Sequence, residues 1–154
     1  MNMTAREYID TPCGKMVIVA DDEHILQIEF AGKALKSRGN KLTREAARQL
    51  KEYFAGKRQN FDLPMRQTGT DFQQQVWQAL LSIPYGETRS YADIARQIGK
   101  PKSVRAVGAA NGQNKIAIAI PCHRVIGADG SLTGYAGGLD KKTILLRLEG
   151  SLLI

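Results

Sequence analysis

The chain has 154 residues, 43% of them apolar, enough for one ordinary domain or two small ones. Its net charge of +7 favours a polyanionic partner such as nucleic acid. Its two cysteines form no disulfide framework or metal-ligand spacing, and no apolar run approaches the roughly 20 residues of a membrane span. Met1 to Tyr8 lack the apolar core of a signal peptide, so a cytoplasmic protein with reduced thiols, no metal and no membrane partner is expected.

The elements divide the chain into an N-terminal domain over 1–67 and a C-terminal domain over 68–154. Glu7 to Asp10, Met16 to Ala20 and Ile25 to Phe30 read as strands, separated by the turn signals Thr11-Pro12-Cys13-Gly14 and Asp21-Asp22-Glu23. A helix is predicted from Leu42 to Ala55, with Thr43 as N-cap and Gly56 in the C-terminal cap region. Leu63 to Gly69 reads as a linker. Thr70 to Ser82 follows as a helix whose buried face is Phe72, Val76, Trp77, Leu80 and Leu81.

Ser90 to Ile98 is predicted as a helix with Ser90 as N-cap and Asp93 at N3. Gly99-Lys100-Pro101 turns the chain, and Ser103 caps a second helix through Ala110, with Val104, Val107 and Gly108 facing inward. This is a helix-turn-helix pattern. Around it Arg89, Arg96, Lys100, Lys102, Arg105, Lys115 and Arg124 outnumber Glu87 and Asp93, and phosphate contacts dominate DNA affinity. The second helix carries Gly108, Ala109, Ala110 and Gly112 where a base reader carries Asn, Gln and Arg. Small residues suit close approach to a minor groove with little sequence preference, and Arg105 is the one long cation in mid-helix.

Ile120-Pro121-Cys122-His123-Arg124-Val125 places a thiol beside an imidazole and a guanidinium. A thiol reacts as its thiolate, and a neighbouring base or positive charge raises the thiolate fraction. Adjacent side chains on a strand point to opposite faces, so the chain must turn here, or a water must bridge, for His123 to serve Cys122. Asp129, Asp140 and Glu149 are the downstream acids available to orient His123; Glu149 ends an amphipathic helix from Lys141 to Leu148.

A larger pattern surrounds this pair. It runs through Phe72, Val76-Trp77, Ile83-Pro84-Tyr85-Gly86, Tyr91, Arg105 to Gly112, Asn114, Ile120 to Gly127, Thr133 to Gly138 and Leu145 to Gly150. Together these resemble the O6-alkylguanine-DNA alkyltransferases over nearly all of residues 70 to 150. The first 67 residues match more loosely, through Thr11 to Gly14 and Glu52 to Gly56. The resemblance implies an α+β protein: a small α/β, ribonuclease H-like N-terminal domain, then a mostly helical domain with a helix-turn-helix and an active-site loop.

The resemblance also implies direct-reversal repair. Duplex DNA is bound through the minor groove, O6-alkylguanine is flipped out, and the alkyl group moves irreversibly to Cys122, which is consumed. His123 is then the base acting through a water, Glu149 its orienter, and Asn114 the hinge asparagine. Tyr91 crowds the adjacent phosphate and bonds the guanine, and Arg105 replaces the flipped base in the stack. Lys102, Ala106, Ala109, Ala110, Asn111, Gly112 and Arg124 complete the expected DNA contact set. Tyr135 packs on the pocket beside Gly137, the Val125 carbonyl accepts from the guanine amine, and the Ala136 N–H faces the guanine oxygen. Lys115 stands where the family usually has proline. No cofactor is implied. The expected partner is double-stranded DNA carrying O6-alkylguanine, with O4-alkylthymine as a second candidate lesion. A monomer in solution is expected, with cooperative binding along DNA open.

Three other readings compete. A damage-binding protein without transfer activity would lack the cysteine. A sequence-specific regulator needs base-reading side chains on its second helix. A Cys-His hydrolase needs an oxyanion hole, which nothing in the sequence signals.

Overall fold

The computed structural model describes residues 4–152. The chain divides into two compact units, Met1–Gln67 and Thr68–Ile154. Its architecture is α+β, as the sequence implied.

The first unit is an antiparallel three-stranded meander with a helix against it. Its strands are β1 (Ala5–Thr11), β2 (Gly14–Ala20) and β3 (Ile25–Phe30), in sheet order β1-β2-β3. Central β2 buries Met16 through Ala20 without a break, where a half-exposed strand would alternate. The β1–β2 turn pairs Thr11 with Gly14, whose φ of +103° explains glycine there. Cys13 is buried in that turn.

Helix α1 (Lys41–Phe54) starts before the predicted Leu42, and its N-cap is Asn40, not Thr43. Thr43 sits at N3, where its side chain accepts from the Asn40 N–H at 2.8 Å while the Asn40 side chain accepts from the Thr43 N–H at 2.9 Å. Both residues are good caps by composition; the reciprocal pair fixes the register. The expected linker is partly structured: the Ile25 N–H donates to Pro64 O at 2.7 Å and the Arg66 N–H to Ile25 O at 3.0 Å.

The second unit contains α2 (Asp71–Leu81), β4 (Arg89–Ser90), α3 (Tyr91–Gln97), α4 (Val104–Gly112), β5 (Val125–Ile126) and α5 (Leu139–Leu148). Thr70 and Gln73 close a capping box on α2, and Ser90 and Asp93 close one on α3. The α3–α4 turn carries Gly99 at φ +75°. On α4 the inward face is Val107, Ala110 and Asn111; Val104, expected inside, is exposed at 38%. Ser103 precedes α4 without a side-chain cap. Trp77 is 4% exposed and its indole N–H donates to Ala110 O at 2.9 Å, which holds the back of α4.

Two short features were not predicted. Arg89–Ser90 pairs in parallel with Val125–Ile126, which joins the start of α3 to the segment after Cys122. Residues 116–120 form no extended strand; Ile118 lies at φ +72° while fully buried. A β-branched residue rarely adopts that conformation, so surrounding bonds must hold it.

Candidate active site

The chain turns at the cysteine. Cys122–Arg124 is one turn of 3-10 helix, in which the Arg124 N–H donates to Pro121 O at 3.0 Å and the Val125 N–H to Cys122 O. Three residues per turn spread consecutive side chains around the axis rather than onto opposite faces. Cys122, His123 and Arg124 are all buried, at 5%, 0% and 5% exposure.

Glu149, the C-cap of α5, is the acid that meets them. Its Oε2 lies 2.9 Å from His123 Nε2. Arg124 grips the same carboxylate through Nε at 2.8 Å and Nη2 at 2.9 Å, and its Nη1 donates to Ile83 O at 2.7 Å. Asp129 and Asp140 are exposed. Asp129 instead accepts from the Ser131 N–H within its own turn at 3.0 Å.

The electrostatics assign the protons. Burial holds the His123 pKa below 6.5, against the opposing pull of Glu149. The ring is therefore neutral at pH 7, with Nε2–H donating to Glu149 and Nδ1 carrying the lone pair. Nδ1 is buried and bonds to no protein group. Burial also pushes the Cys122 thiol up from 9.0; the Asn114 side chain, Lys142 and the N–H groups of Cys122 and His123 act against this. The resting cysteine is thus a protonated thiol.

Asn114 braces the segment before the cysteine. Its Nδ2 donates to Ile120 O at 2.8 Å and Ile116 O at 3.4 Å, and its Oδ1 accepts from the Ile116 N–H at 3.1 Å. These bonds span Ile118 and account for its left-handed backbone. They form with Lys115 as the following residue.

The loop 127–138 meets α3 and α5 at one atom. Thr133 O accepts from Tyr91 Oη at 3.1 Å and from Lys142 Nζ at 2.8 Å. Lys142 Nζ also donates to Val125 O at 2.6 Å. Tyr135 and Gly137 lie half-buried in this loop and Ala136 is exposed. Lys142 is fully buried, and desolvation lowers its pKa to about 8. It was absent from the expected site. The signal was the stripe Lys142, Leu145, Leu146, Glu149, which spacings of three and four put on one helix face.

The expected DNA set divides. Lys102, Arg105, Ala106, Ala109 and Gly112 are exposed, so α4 presents one cation and a row of small residues. Arg124, Ala110 and Asn111 are corrected: all three are buried. Arg124 is spent on Glu149, Ala110 packs inward, and Asn111 Nδ2 donates to Cys122 O at 3.3 Å. Arg89 and Arg96 are engaged with Glu87 and Asp93. Among the described residues no cluster of His, Cys, Asp and Glu could hold a metal, and no helix is long and apolar enough to cross a membrane.

Two family descriptions match consecutive parts of the chain. The ribonuclease-like domain of 6-O-methylguanine DNA methyltransferase matches residues 5–67, and its DNA binding domain matches residues 71–151. The chain belongs to the 6-O-methylguanine DNA methyltransferase family. A methylated-DNA--protein-cysteine methyltransferase of Methanosarcina barkeri is 52% identical over 150 residues, covering 93% of this chain and 95% of that one. The constitutive methylated-DNA--protein-cysteine methyltransferase of Bacillus subtilis is 48% identical over 151 residues, covering 91% and 92%. Mycobacterium tuberculosis OGT, solved in complex with DNA, superposes with a TM-score of 0.87 at 48% identity, covering 95% and 92%. In this family member the whole site described above lies in the second unit.

Proposed function

We propose that this protein reverses O6-alkylguanine damage in duplex DNA by moving the alkyl group to Cys122. The observation that carries the reading is the Cys122 turn, in which a buried thiol follows Pro121 and the next residue is a neutral imidazole held by Glu149 at 2.9 Å. A base fixed on one nitrogen and bare on the other is prepared to take a proton.

In this reading the Cys122 proton passes to His123 Nδ1 through a bridging water. The sulfur lone pair attacks the alkyl carbon in line; the S–C bond forms as the C–O6 bond breaks. The C–O electrons leave on guanine, which recovers one proton, so the pair ends as a thioether and an intact guanine. The Ala136 N–H, and the Tyr91 hydroxyl once it turns from Thr133 O to the bound base, are the donors for the departing oxygen. Asn114 holds the segment before the thiol, and the Val125 carbonyl, Tyr135 and Gly137 receive the base. Lys102 meets phosphate, and Ala106, Ala109 and Gly112 let the backbone of α4 approach the minor groove. A thioether offers no leaving group, so each molecule acts once. In this reading the protein works without a cofactor, as a cytoplasmic monomer.

Mass spectrometry after mixing with methylated duplex tests this. One added methyl group on the Cys122 peptide is expected, and none in Cys122→Ala, which still binds the duplex. A methyl group elsewhere, or transfer by Cys122→Ala, refutes the assignment.

A further inference from the structure

Asn111 has a place in the site that the DNA-contact expectation does not explain. It is 2% exposed, on the inward face of α4, directly before Gly112 of the outward face. Its Nδ2 donates to Cys122 O at 3.3 Å, the carbonyl that also closes the 3-10 turn by accepting the Val125 N–H. The amide orientation follows from chemistry, since the reversed flip would set oxygen against oxygen. Its Oδ1 is buried and bonds to no protein group.

That orphaned oxygen is informative. A buried acceptor without a partner is destabilising, whereas an apolar side chain of the same size in its place is not. Packing alone therefore favours leucine at 111. What asparagine adds is one donor, and that donor reaches the main chain of the nucleophile. Asn114, one turn further on, braces the carbonyls of Ile116 and Ile120. The two side chains hold successive parts of the segment that ends at Cys122.

We infer that Asn111 is a positioning residue for the transfer reaction: its amide ties the Cys122 carbonyl to the DNA-facing helix and so fixes the direction of the thiol. The inference rests on Cys122 being the acceptor. With the tie gone, the turn keeps its backbone bonds but gains freedom about Cys122, and the fraction of time that sulfur lies in line with the alkyl carbon falls. The defect lies in the approach of the thiol, so it appears with duplex and with free base alike.

The test uses the full chain with Asn111→Leu and, in case leucine overpacks, Asn111→Ala. Single-turnover transfer is measured at saturating methylated duplex and with free O6-alkylguanine, beside duplex Kd and Tm. The expected result is a rate lowered about tenfold on both substrates, short of the roughly hundredfold that an ångström of misplacement costs. Duplex Kd stays within about twofold, and Asn111→Leu melts no lower than the parent. An unchanged rate in both variants overturns the inference, whatever happens to Tm. A loss confined to duplex overturns it too, because it returns Asn111 to DNA binding. If the parent itself gains no methyl group on Cys122, the underlying reading has failed, which is a separate result.

Discussion

Glu149 is the residue on which the site closes, because one carboxylate serves two different neighbours. Toward His123 it fixes a tautomer; toward Arg124 it neutralises a guanidinium that is 5% exposed. Glu149→Gln keeps the shape and removes the charge. Arg124 then lies buried without its counter-ion, and unfolding stability should drop by about 3–5 kcal/mol in a denaturant titration. His123, already pushed below its usual pKa by burial, loses the group that opposed that push and becomes a weaker base. Single-turnover transfer, measured well below the variant's midpoint, should slow by at least about tenfold. An unslowed rate in folded protein would remove His123 from the proton path. Arg124 shows why residue type can mislead at this scale. A cation beside a DNA-binding motif reads as a phosphate contact, and only the fold reveals the acid that claims it. Asn111 was misplaced for a similar reason, since polar residues on a DNA-facing helix are expected to face DNA.

Capping chemistry made helix starts legible only in part: Ser90 with Asp93 marked α3, whereas at α1 Thr43 read as the cap although it is N3 of a box capped by Asn40. Thr70 with Gln73 and Ser90 with Asp93 mark the starts of α2 and α3, because each pair satisfies donors that the helix leaves open. The β4–β5 pairing was illegible: two residues per strand carry no periodicity, and their partner lies 36 residues away. The turn at Cys122 was legible only as a requirement, since its bonds depend on Asn111 and Asn114. Lys142, which joins α5 to the loop 127–138, makes an element-scale prediction. Its pKa is about 8 in the folded protein against an ordinary 10.5, so the folded state binds fewer protons than the unfolded state between those values. The cost of burying its charge is therefore present below pH 8 and fades as pH rises towards 10.5. Denaturant titrations of parent and Lys142→Met at pH 7 and pH 10 isolate this, because other groups largely cancel in the difference. The parent should gain on the variant with rising pH, up to roughly 3 kcal/mol. A constant difference would mean that Lys142 keeps its ordinary pKa in the folded protein and that its charge is not desolvated there. At either pH, Lys142→Met also leaves Val125 O and Thr133 O short of a donor, and transfer should be slower.

For the whole molecule the question is how a modest positive charge becomes recognition of one base. The second unit holds ten Lys and Arg against six Asp and Glu. Two of those cations, Arg124 and Lys142, are buried, and Arg89 and Arg96 are partly neutralised by exposed pairs with Glu87 and Asp93, so less than the formal charge is available to DNA. Binding should have a shallow salt dependence for the net charge of +7. Lys102→Ala should reduce the slope of log K against log salt by about 1, and the buried Arg124 should contribute nothing to it. Arg105 has a different task. It is exposed in the first turn of α4, where the other exposed residues of the helix are Val104, Ala106, Ala109 and Gly112, so it is the long side chain that can extend deep into a duplex against which the backbone sits close. Extruding a base leaves a gap whose unstacking costs a few kcal/mol, and a side chain that fills the gap lowers that cost. A free alkylguanine has no stack to leave. Arg105→Ala should therefore slow repair of methylated duplex by about a hundredfold while reaction with the free base stays within about twofold. Placing the lesion opposite a mismatched base should recover part of the loss, since less pairing has to be broken. Equal losses on both substrates would make Arg105 a pocket residue. A loss explained wholly by weaker duplex Kd, and erased at saturating DNA, would make it one more phosphate contact. The ratio of the two rates therefore reads out whether α4 only holds DNA or also opens it.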